Sequence, residues 1–421
     1  MVRVILSVNA GSSSVKVSVY KDVGKGKDPE ELAVVQVDGL TAPPPTLKYS
    51  RGNRSIKGQE LQGIESQEDG FRYIMQHLEE DEGLPELSNR DDISFVTHRV
   101  VHGGDYPRAQ VITKETYHHI EILSDLAPLH NAGALTIVRA AHKELPKAVN
   151  IAYFDSAFHS TIPRHISTYP IDPKIAQKNR LRKYGFHGIS YSFIVKAVAA
   201  FLQKPVEQTS IIALHLGSGA SACAIKNGKS WDTSMGLTPL AGLPGATRSG
   251  SVDPSLVFHY THDAGKLTSS GTKDLHITQA EQILNKESGW KALTGTTDFG
   301  KISSGEDEEC RLAFDLVANR ILNFVGSYYV TLRGDVDALV FAGGIGEKGS
   351  KLRSRVVEGA ACLGFGIDEG KNSEEIKGVV SDITGGSAKH KVLVCQTDEQ
   401  LEMARGCVED AEEFEKQAKD G

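Results

Sequence analysis

An arginine stands between histidines in Thr97-His98-Arg99-Val100-Val101-His102-Gly103-Gly104, at the end of an apolar run from Ile93 to Val96 that reads as a strand. Three further segments have a similar make-up: Ala127-Pro128-Leu129-His130-Asn131, Phe154-Asp155-Ser156-Ala157-Phe158-His159 and Tyr184-Gly185-Phe186-His187-Gly188. Each joins a polar or ionisable group to aromatic or apolar neighbours, the composition of a small, partly dry pocket. Any one of these histidines taken alone is more readily a hydrogen-bonded core residue or a surface residue. Metal ligation is the weaker functional option, because the sequence has no HExxH or comparable helical pair. Further on, Arg248 in Thr247-Arg248-Ser249-Gly250 is bracketed by small residues in an expected loop and is accessible enough to meet an anion.

Two turns offer a second kind of chemistry. Val2, Val4 and Leu6 alternate with Arg3, Ile5 and Ser7, Asn9-Ala10-Gly11-Ser12-Ser13-Ser14 interrupts, and Val15, Val17 and Val19 resume, which reads as a β-hairpin. The pattern returns as Ile211 to Leu214, then His215-Leu216-Gly217-Ser218-Gly219-Ala220-Ser221, then Ala222 to Ile225. Aligning Gly11 with Gly217, an offset of 206 residues, sets Ser12 on Ser218, Val17 on Cys223 and Val19 on Ile225, and predicts an internal duplication. Turns of Gly and Ser expose backbone N–H groups and add hydroxyls, which suits phosphate oxygens; either turn alone could equally be an ordinary hairpin. A third glycine cluster, Ala342-Gly343-Gly344-Ile345-Gly346-Glu347, ends a predicted strand at Asp337 to Phe341 and would let a ligand approach the backbone closely. Neither GxxxxGK[ST] nor a GxGxxG opening a helix occurs, which excludes a P-loop or dinucleotide fingerprint.

The elements that must position these residues belong to an ordinary globular chain of 421 residues, long enough for two domains, with 39% hydrophobic and 24% charged residues and a formal net charge of −7. No basic stripe signals nucleic acid or an anionic membrane surface. No apolar run approaches the roughly 20 residues that span a bilayer, and no N-terminal leader pattern is present, so the expected location is cytoplasmic. Five scattered cysteines, an odd number without a CxxC pair, predict reduced thiols rather than a disulfide framework.

The segments SVNAGSSSVK, HRVVHGG, APLHN, FDSAFH, YGFHG, HLGSGAS, DTSMGLTPL, RSGSVDP, FAGGIGE and TDEQLEMAR, in this order, resemble the acetate kinase family of the acetate and sugar kinase, heat-shock chaperone and actin superfold. The resemblance runs from Val4 to about Arg405 and is weak near residues 20 to 90 and 260 to 295. It implies an α/β fold of two duplicated actin-like, ribonuclease H-like domains with a central cleft. Residues 1–158 with 402–421 would form the first, carrying the first phosphate hairpin and the acid pocket. Residues 159–401 would form the second, with the second phosphate hairpin, the adenosine pocket and a homodimer interface. The implied activity is reversible, in-line phosphoryl transfer between ATP and acetate, giving acetyl phosphate and ADP, with Mg2+ as the metal and Mn2+ able to substitute.

Carried over residue by residue, the resemblance places the acetate methyl among Val101, Leu129, Phe186 and Pro239, with Arg99 at the carboxylate. Arg248 and His187 would contact the transferring phosphoryl, His130 would lie nearby, and Asp155 would act close to metal and acceptor. Asn9 and Glu399 would hold Mg2+, directly or through water. Ser12, Ser13, Ser14 and Lys16, with His215, Gly217, Ser218 and Gly219, would serve the phosphates. Asp298, Phe299, Gly300, Gly343, Gly344, Ile345 and Gly346 would line the adenosine pocket. Acetate is already ionised near neutral pH, so no general base is needed and Asp155 is better cast as a water-mediated metal partner or aligner. Three positions depart from the family pattern: Ser218 in place of Asn, Ser251 in place of an acidic residue, and Gly300 where bacterial relatives carry an arginine against the adenine. The alternatives are a propionate or butyrate kinase, a pyrophosphate-dependent acetate kinase and, from another class, a non-catalytic actin- or chaperone-like ATP-binding module.

Overall fold

The computed structural model describes residues 3–11, 13–123, 128–268 and 277–420, with the side chains of all of these but 128–130 and 132. The chain divides into two units, Met1–Ala157 with Asp398–Gly421, and Phe158–Thr397. The second boundary thus falls before Asp398 rather than after residue 401, which puts Glu399 in the first unit.

The first unit is built on one sheet. β1 (Val4–Ala10) and β2 (Ser14–Lys21) form the antiparallel hairpin that the alternation predicts; β3 (Glu30–Asp38), β4 (Thr46–Arg51) and β5 (Arg54–Glu60) extend it on one side. On the other side lie β6 (Ile93–Val100), β7 (Gln110–Val111) and β8 (Val149–Phe154), in the order β5-β4-β3-β2-β1-β6-β8-β7. The two-residue period puts Val4, Leu6 and Val8 on one face, packed with Phe71, Ile74 and Met75 of helix Gln67–Glu79 and Ile137 of helix Pro128–Glu144. Ile5 points to the other face and meets Ala404, Cys407 and Phe414 of the two C-terminal helices. Truncating a side chain such as Leu6, fully buried here, to alanine would cost about 2–5 kcal/mol.

The second unit carries β9 (Ile211–Leu216), β10 (Ala220–Lys226), β11 (Lys229–Thr233), β12 (Ala338–Ala342), β13 (Val380–Asp382) and β14 (Lys391–Cys395), ordered β11-β10-β9-β12-β14-β13. Helix Glu308–Thr331 covers one face with Ala313, Val317, Ile321 and Val325. Asp307 caps its first turn by accepting from Cys310 N at 2.7 Å, and Arg333 and Gly334, both at positive φ, turn the chain away after its end. Helix Gly188–Leu202 also packs on β9.

The expected duplication is written into the sheets. β3-β2-β1-β6-β8-β7 and β11-β10-β9-β12-β14-β13 have the same order and the same sequence of antiparallel and parallel pairings. The residue alignment needs one correction. Ala10 pairs with Val15 across the first turn, but Leu216 pairs with Ala220 across the second, whose turn is one residue shorter. Beyond the turn, Val17 therefore corresponds to Ala222 and not to Cys223. A slip of one residue exchanges the faces of a strand: Ala222 lies in the core cluster with Ile212 and Leu214, and Cys223 turns its thiol toward Ser230. Among the described residues no helix is long and apolar enough to cross a membrane.

Candidate active site

Parallel pairing of β1 with β6 and of β6 with β8 gathers their carboxyl-terminal ends, where open α/β sheets bind ligands. Asn9, Arg99 and Asp155 meet there, joined by Glu399 from the first turn of helix Glu399–Glu409. Arg99 grips Asp155 in a fork, Nε to Oδ1 at 3.1 Å and Nη2 to Oδ2 at 2.7 Å. Its Nη1 reaches Glu399 Oε2 at 3.3 Å and Asn9 Oδ1 at 3.4 Å, and Asn9 Nδ2 donates to the same Glu399 oxygen at 3.3 Å. The Asp155 side chain is only 1% exposed and that of Arg99 20%. Burial pulls the Arg99 guanidinium toward the neutral form, but the charges of Asp155 and Glu399 outweigh it and hold its pKa above the ordinary value. Two carboxylates against one guanidinium leave a negative excess of hard oxygen donors beside an amide. That donor set fits Mg2+, which takes one or two carboxylates and keeps waters for a phosphate to replace, better than a metal needing a full protein cage.

The histidines flanking Arg99 are structural. His98 Nε2 bonds Asn150 Oδ1 at 2.8 Å, and burial lowers its pKa to about 4. His102 is buried, with its Nδ1 accepting from Gly104 N at 3.0 Å, and its backbone is bracketed on both sides by the Asn131 amide. Val101, half-buried, follows β6, and Lys16 faces Asn9 across the hairpin. Ser13 is exposed, and Ser14 closes the first turn by accepting from Gly11 N at 2.9 Å. Ser12 lies outside the described residues, and Leu129 and His130 lie outside the described side chains.

The second unit holds the other expected residues. His187 sits just before helix Gly188–Leu202 in the left-handed region, φ 59°, a conformation that costs a non-glycine residue about 1 kcal/mol. Its Nδ1 meets Ser221 Oγ at 2.8 Å, and its ring stacks on that of His215 at 4.2 Å. Ser190 Oγ bonds both His215 Nδ1 and Thr397 Oγ1, each at 2.8 Å. Phe186 and Pro239 are both buried, and the Pro239 carbonyl accepts from Arg248 Nη1 at 3.5 Å. Arg248 also lies over the second turn: a Cβ built on Gly219 would come within 3.0 Å of its Nη1. The segment 245–248 is tied to that turn by Ala246 N donating to Ser218 O at 2.8 Å. Ser251, the departure from the acidic residue, pins the same loop by accepting from Gly242 N at 2.9 Å.

Beside the second turn opens a cavity of about 580 Å³, lined by Gly217, Ser218, Asp298, Phe299, Gly300, Gly344 and Ile345, all expected from sequence, and also by Thr297, Ser303, Lys348, Gly349, Ser350 and Lys351. The two lysines and the two serines were missed. They lie on the helical turns after the glycine cluster and before Gly305, where only three-dimensional closure brings them to the cavity. Gly343 and Gly346 are not part of this lining. Gly343, φ 75°, lies so close to β9 that a Cβ would meet the Leu216 carbonyl at 2.7 Å, whereas a Cβ on Gly344 would meet nothing within 4 Å. Asp298 caps helix Phe299–Ser304 by accepting from Gly300 N at 2.9 Å, which gives that carboxylate a structural task as well.

The acetokinase family profile matches residues 4–405. The chain is 56% identical to a probable acetate kinase of Neurospora crassa, over 98% of this chain and 95% of that protein. It is 40% identical to an acetate kinase of Clavibacter michiganensis, over 96% and 98% of the two chains. Among solved structures it resembles Porphyromonas gingivalis acetate kinase, with a TM-score of 0.80 and 32% identity, and a propionate kinase from Francisella tularensis, with a TM-score of 0.83 and 32% identity; each comparison covers 96% of this chain and 98% of the other. Together with a duplicated α/β sheet, glycine turns and an arginine-carboxylate cluster at the strand ends, these matches establish that the chain belongs to the acetokinase family of carboxyl-group phosphotransferases.

Proposed function

We propose that this chain transfers a phosphoryl group reversibly between ATP and acetate, giving acetyl phosphate and ADP. The observation that carries the reading is the meeting, in the second unit, of Arg248, the Gly217–Gly219 turn and an open cavity of about 580 Å³. Such a cavity suits a nucleoside and argues against a pyrophosphate-dependent relative, in which that space would be filled. Phosphoryl transfer proceeds through a loose transition state with charge on the equatorial oxygens, so cationic donors and alignment supply most of the catalysis.

Arg248 would stabilise that charge and His187 would donate to the same group, with the Gly217–Gly219 backbone, Ser218 and His215 on the neighbouring phosphates. Gly344, Ile345, Phe299 and Gly300 would border the nucleoside, with Lys348 and Lys351 as further cations at the rim. In the first unit, Arg99 would hold the acetate carboxylate, and Val101 and Leu129 would border its methyl. Asp155, held by Arg99, would act as an aligner, with no proton to remove from an acid that is already ionised. Asn9 and Glu399 would hold Mg2+, which would offset the negative charge of the phosphates. Ser13, Ser14 and Lys16 would serve the phosphates from the first hairpin.

Exposed apolar side chains on and around helix Leu256–Tyr260, with Phe258 69% and Tyr260 63% exposed, support a homodimer formed through the second unit. Free cysteines, four of the five buried, fit a reducing cytoplasmic setting. The test is acyl phosphate formation, from acetate with ATP against pyrophosphate, and with ATP from acetate against propionate. Activity with ATP and acetate as the best pair is expected. A preference for pyrophosphate would overturn the nucleotide reading, and a preference for propionate would favour the activity named for the Francisella structure.

A further inference from the structure

Behind His187 runs a chain of buried hydroxyls that none of the assigned roles uses. Tyr191, one turn along helix Gly188–Leu202, is fully buried, as is Ser221 on β10. Tyr191 Oη lies 2.6 Å from Ser221 Oγ, and Ser221 Oγ lies 2.8 Å from His187 Nδ1. Distances alone leave the direction of each bond open, but the supply of acceptors fixes it. Besides Ser221, among the described residues, the backbone N–H of His215 bonds the Tyr191 oxygen and can only donate, and the Cys223 thiol nearby is a weak acceptor at best. The phenol proton must therefore go to Ser221 Oγ, since a buried O–H without an acceptor costs about 1–3 kcal/mol. Ser221, accepting from Tyr191, gives its own proton to His187 Nδ1. An Nδ1 that accepts carries no proton, so a neutral ring must carry it on Nε2.

We infer that Tyr191 and Ser221 are positioning residues that lock His187 as the neutral, Nε2-protonated tautomer, so that the nitrogen opposite Ser221 is a standing hydrogen-bond donor. The inference rests on the proposal that His187 contacts the transferring phosphoryl, for which only a donor is useful. The left-handed backbone at His187 and the stacked His215 ring fix where the imidazole lies; the hydroxyl chain fixes which edge carries the hydrogen. An imidazole of free choice would spend part of its time with an acceptor lone pair toward the phosphoryl oxygens, where it repels rather than stabilises.

The test reads the tautomer directly. In full-length protein labelled with 15N-histidine, the His187 signals are assigned by their loss in His187→Gln. An unprotonated Nδ1 and a protonated Nε2 are expected; a protonated Nδ1 overturns the inference without any variant being made. Tyr191→Phe keeps the ring and removes the first donor. It should produce a mixture of tautomers and lower kcat about tenfold, the scale at which a group that orients a first ligand is felt, with KM for ATP and acetate within about twofold. Ser221→Ala should lower kcat at least as much. If Tyr191→Phe, folded to the same melting temperature, leaves the tautomer unchanged, the lock is refuted. If it mixes the tautomers and kcat does not move, the lock stands and the placement of His187 at the phosphoryl is what fails.

Discussion

Asn9 faces Lys16 across the first hairpin, and His215 faces Ser221 across the second, at the corresponding step of two sheets with the same topology. The same backbone position thus supports opposite chemistry. Around Asn9 the side chains are ionic, with Arg99, Asp155 and Glu399 in mutual contact. Around His215 they are rings and hydroxyls, with His187, Ser190 and Ser221, and the nearby cation Arg248 stands over glycine. The proposed metal and carboxylate substrate would call for fixed opposite charges. The proposed phosphate chain, already highly charged, would be met at the second turn by oriented neutral donors and the Arg248 guanidinium, with the two lysines only at the cavity rim.

The largest effect that could break this contrast is at Arg248. Arg248→Ala should lose about 100-fold or more in kcat, the usual loss for one donor to transition-state charge, and Arg248→Lys should recover little, because an ammonium cannot reproduce the planar fork. Near-normal turnover with only a raised KM for acetate would remove Arg248 from the phosphoryl. Glu399→Gln tests the ionic side. It should raise the Mg2+ concentration for half-maximal rate by about 10- to 100-fold, with activity recovered at high Mg2+, whereas Arg248→Ala should gain nothing from added metal. Equal metal responses in the two variants would erase the distinction between the units.

Selectivity should divide in the same way. Val101→Ala is expected to raise the propionate-to-acetate ratio of kcat/KM by about tenfold, within the range that one methylene commands in an apolar pocket, and to leave nucleotide choice alone. An unchanged ratio with a lower Tm would return Val101 to an ordinary structural role. Gly300→Arg should do the reverse, sharpening the choice of ATP over GTP by a few-fold. The protein itself should discriminate among ATP, GTP and ITP by less than about 100-fold, and a stronger preference would mean that other groups around the cavity read the base.

The smallest expected effect is shared by both units, each of which buries a neutral histidine. His98 is held by Asn150; His159 is held by Ser230 and the Phe186 carbonyl. Burial lowers both from the usual 6.5 to about 4. The unfolded chain therefore takes up these protons first as the pH falls. The stability the two rings contribute is complete above pH 6.5 and is lost progressively down to about 4. His98→Gln and His159→Gln together should flatten the fall of Tm across that window; an unchanged slope would show that carboxylates alone set it.

Much of this was legible from alternation and turn chemistry. Val4 to Val19 and Ile211 to Ile225 spelled both hairpins, and the strand at Ile93 appeared, although it runs on through Arg99 to Val100. The misplacement of Cys223 arose because Gly11–Ser14 and Gly217–Gly219 differ by one residue, a change invisible until the ladder register is known. The hairpin of β4 and β5 gave no signal: Arg54 to Glu60 is nearly all exposed and charged or polar, so no apolar period marks it. The pairing of Tyr191 with Ser221 could not be read either. They are 30 residues apart, and each alone is an ordinary core residue.

Gly344 offers a practical handle. Its position on the cavity wall, with open space where a Cβ would project, would let Gly344→Cys present a thiol to whatever occupies the cavity. Of the native cysteines only Cys362 is exposed, so in a Cys362→Ser background an electrophile carried on a nucleoside analogue would find one reactive sulfur. The glycine that leaves this wall bare is thereby an attachment point for a covalent, variant-selective inhibitor.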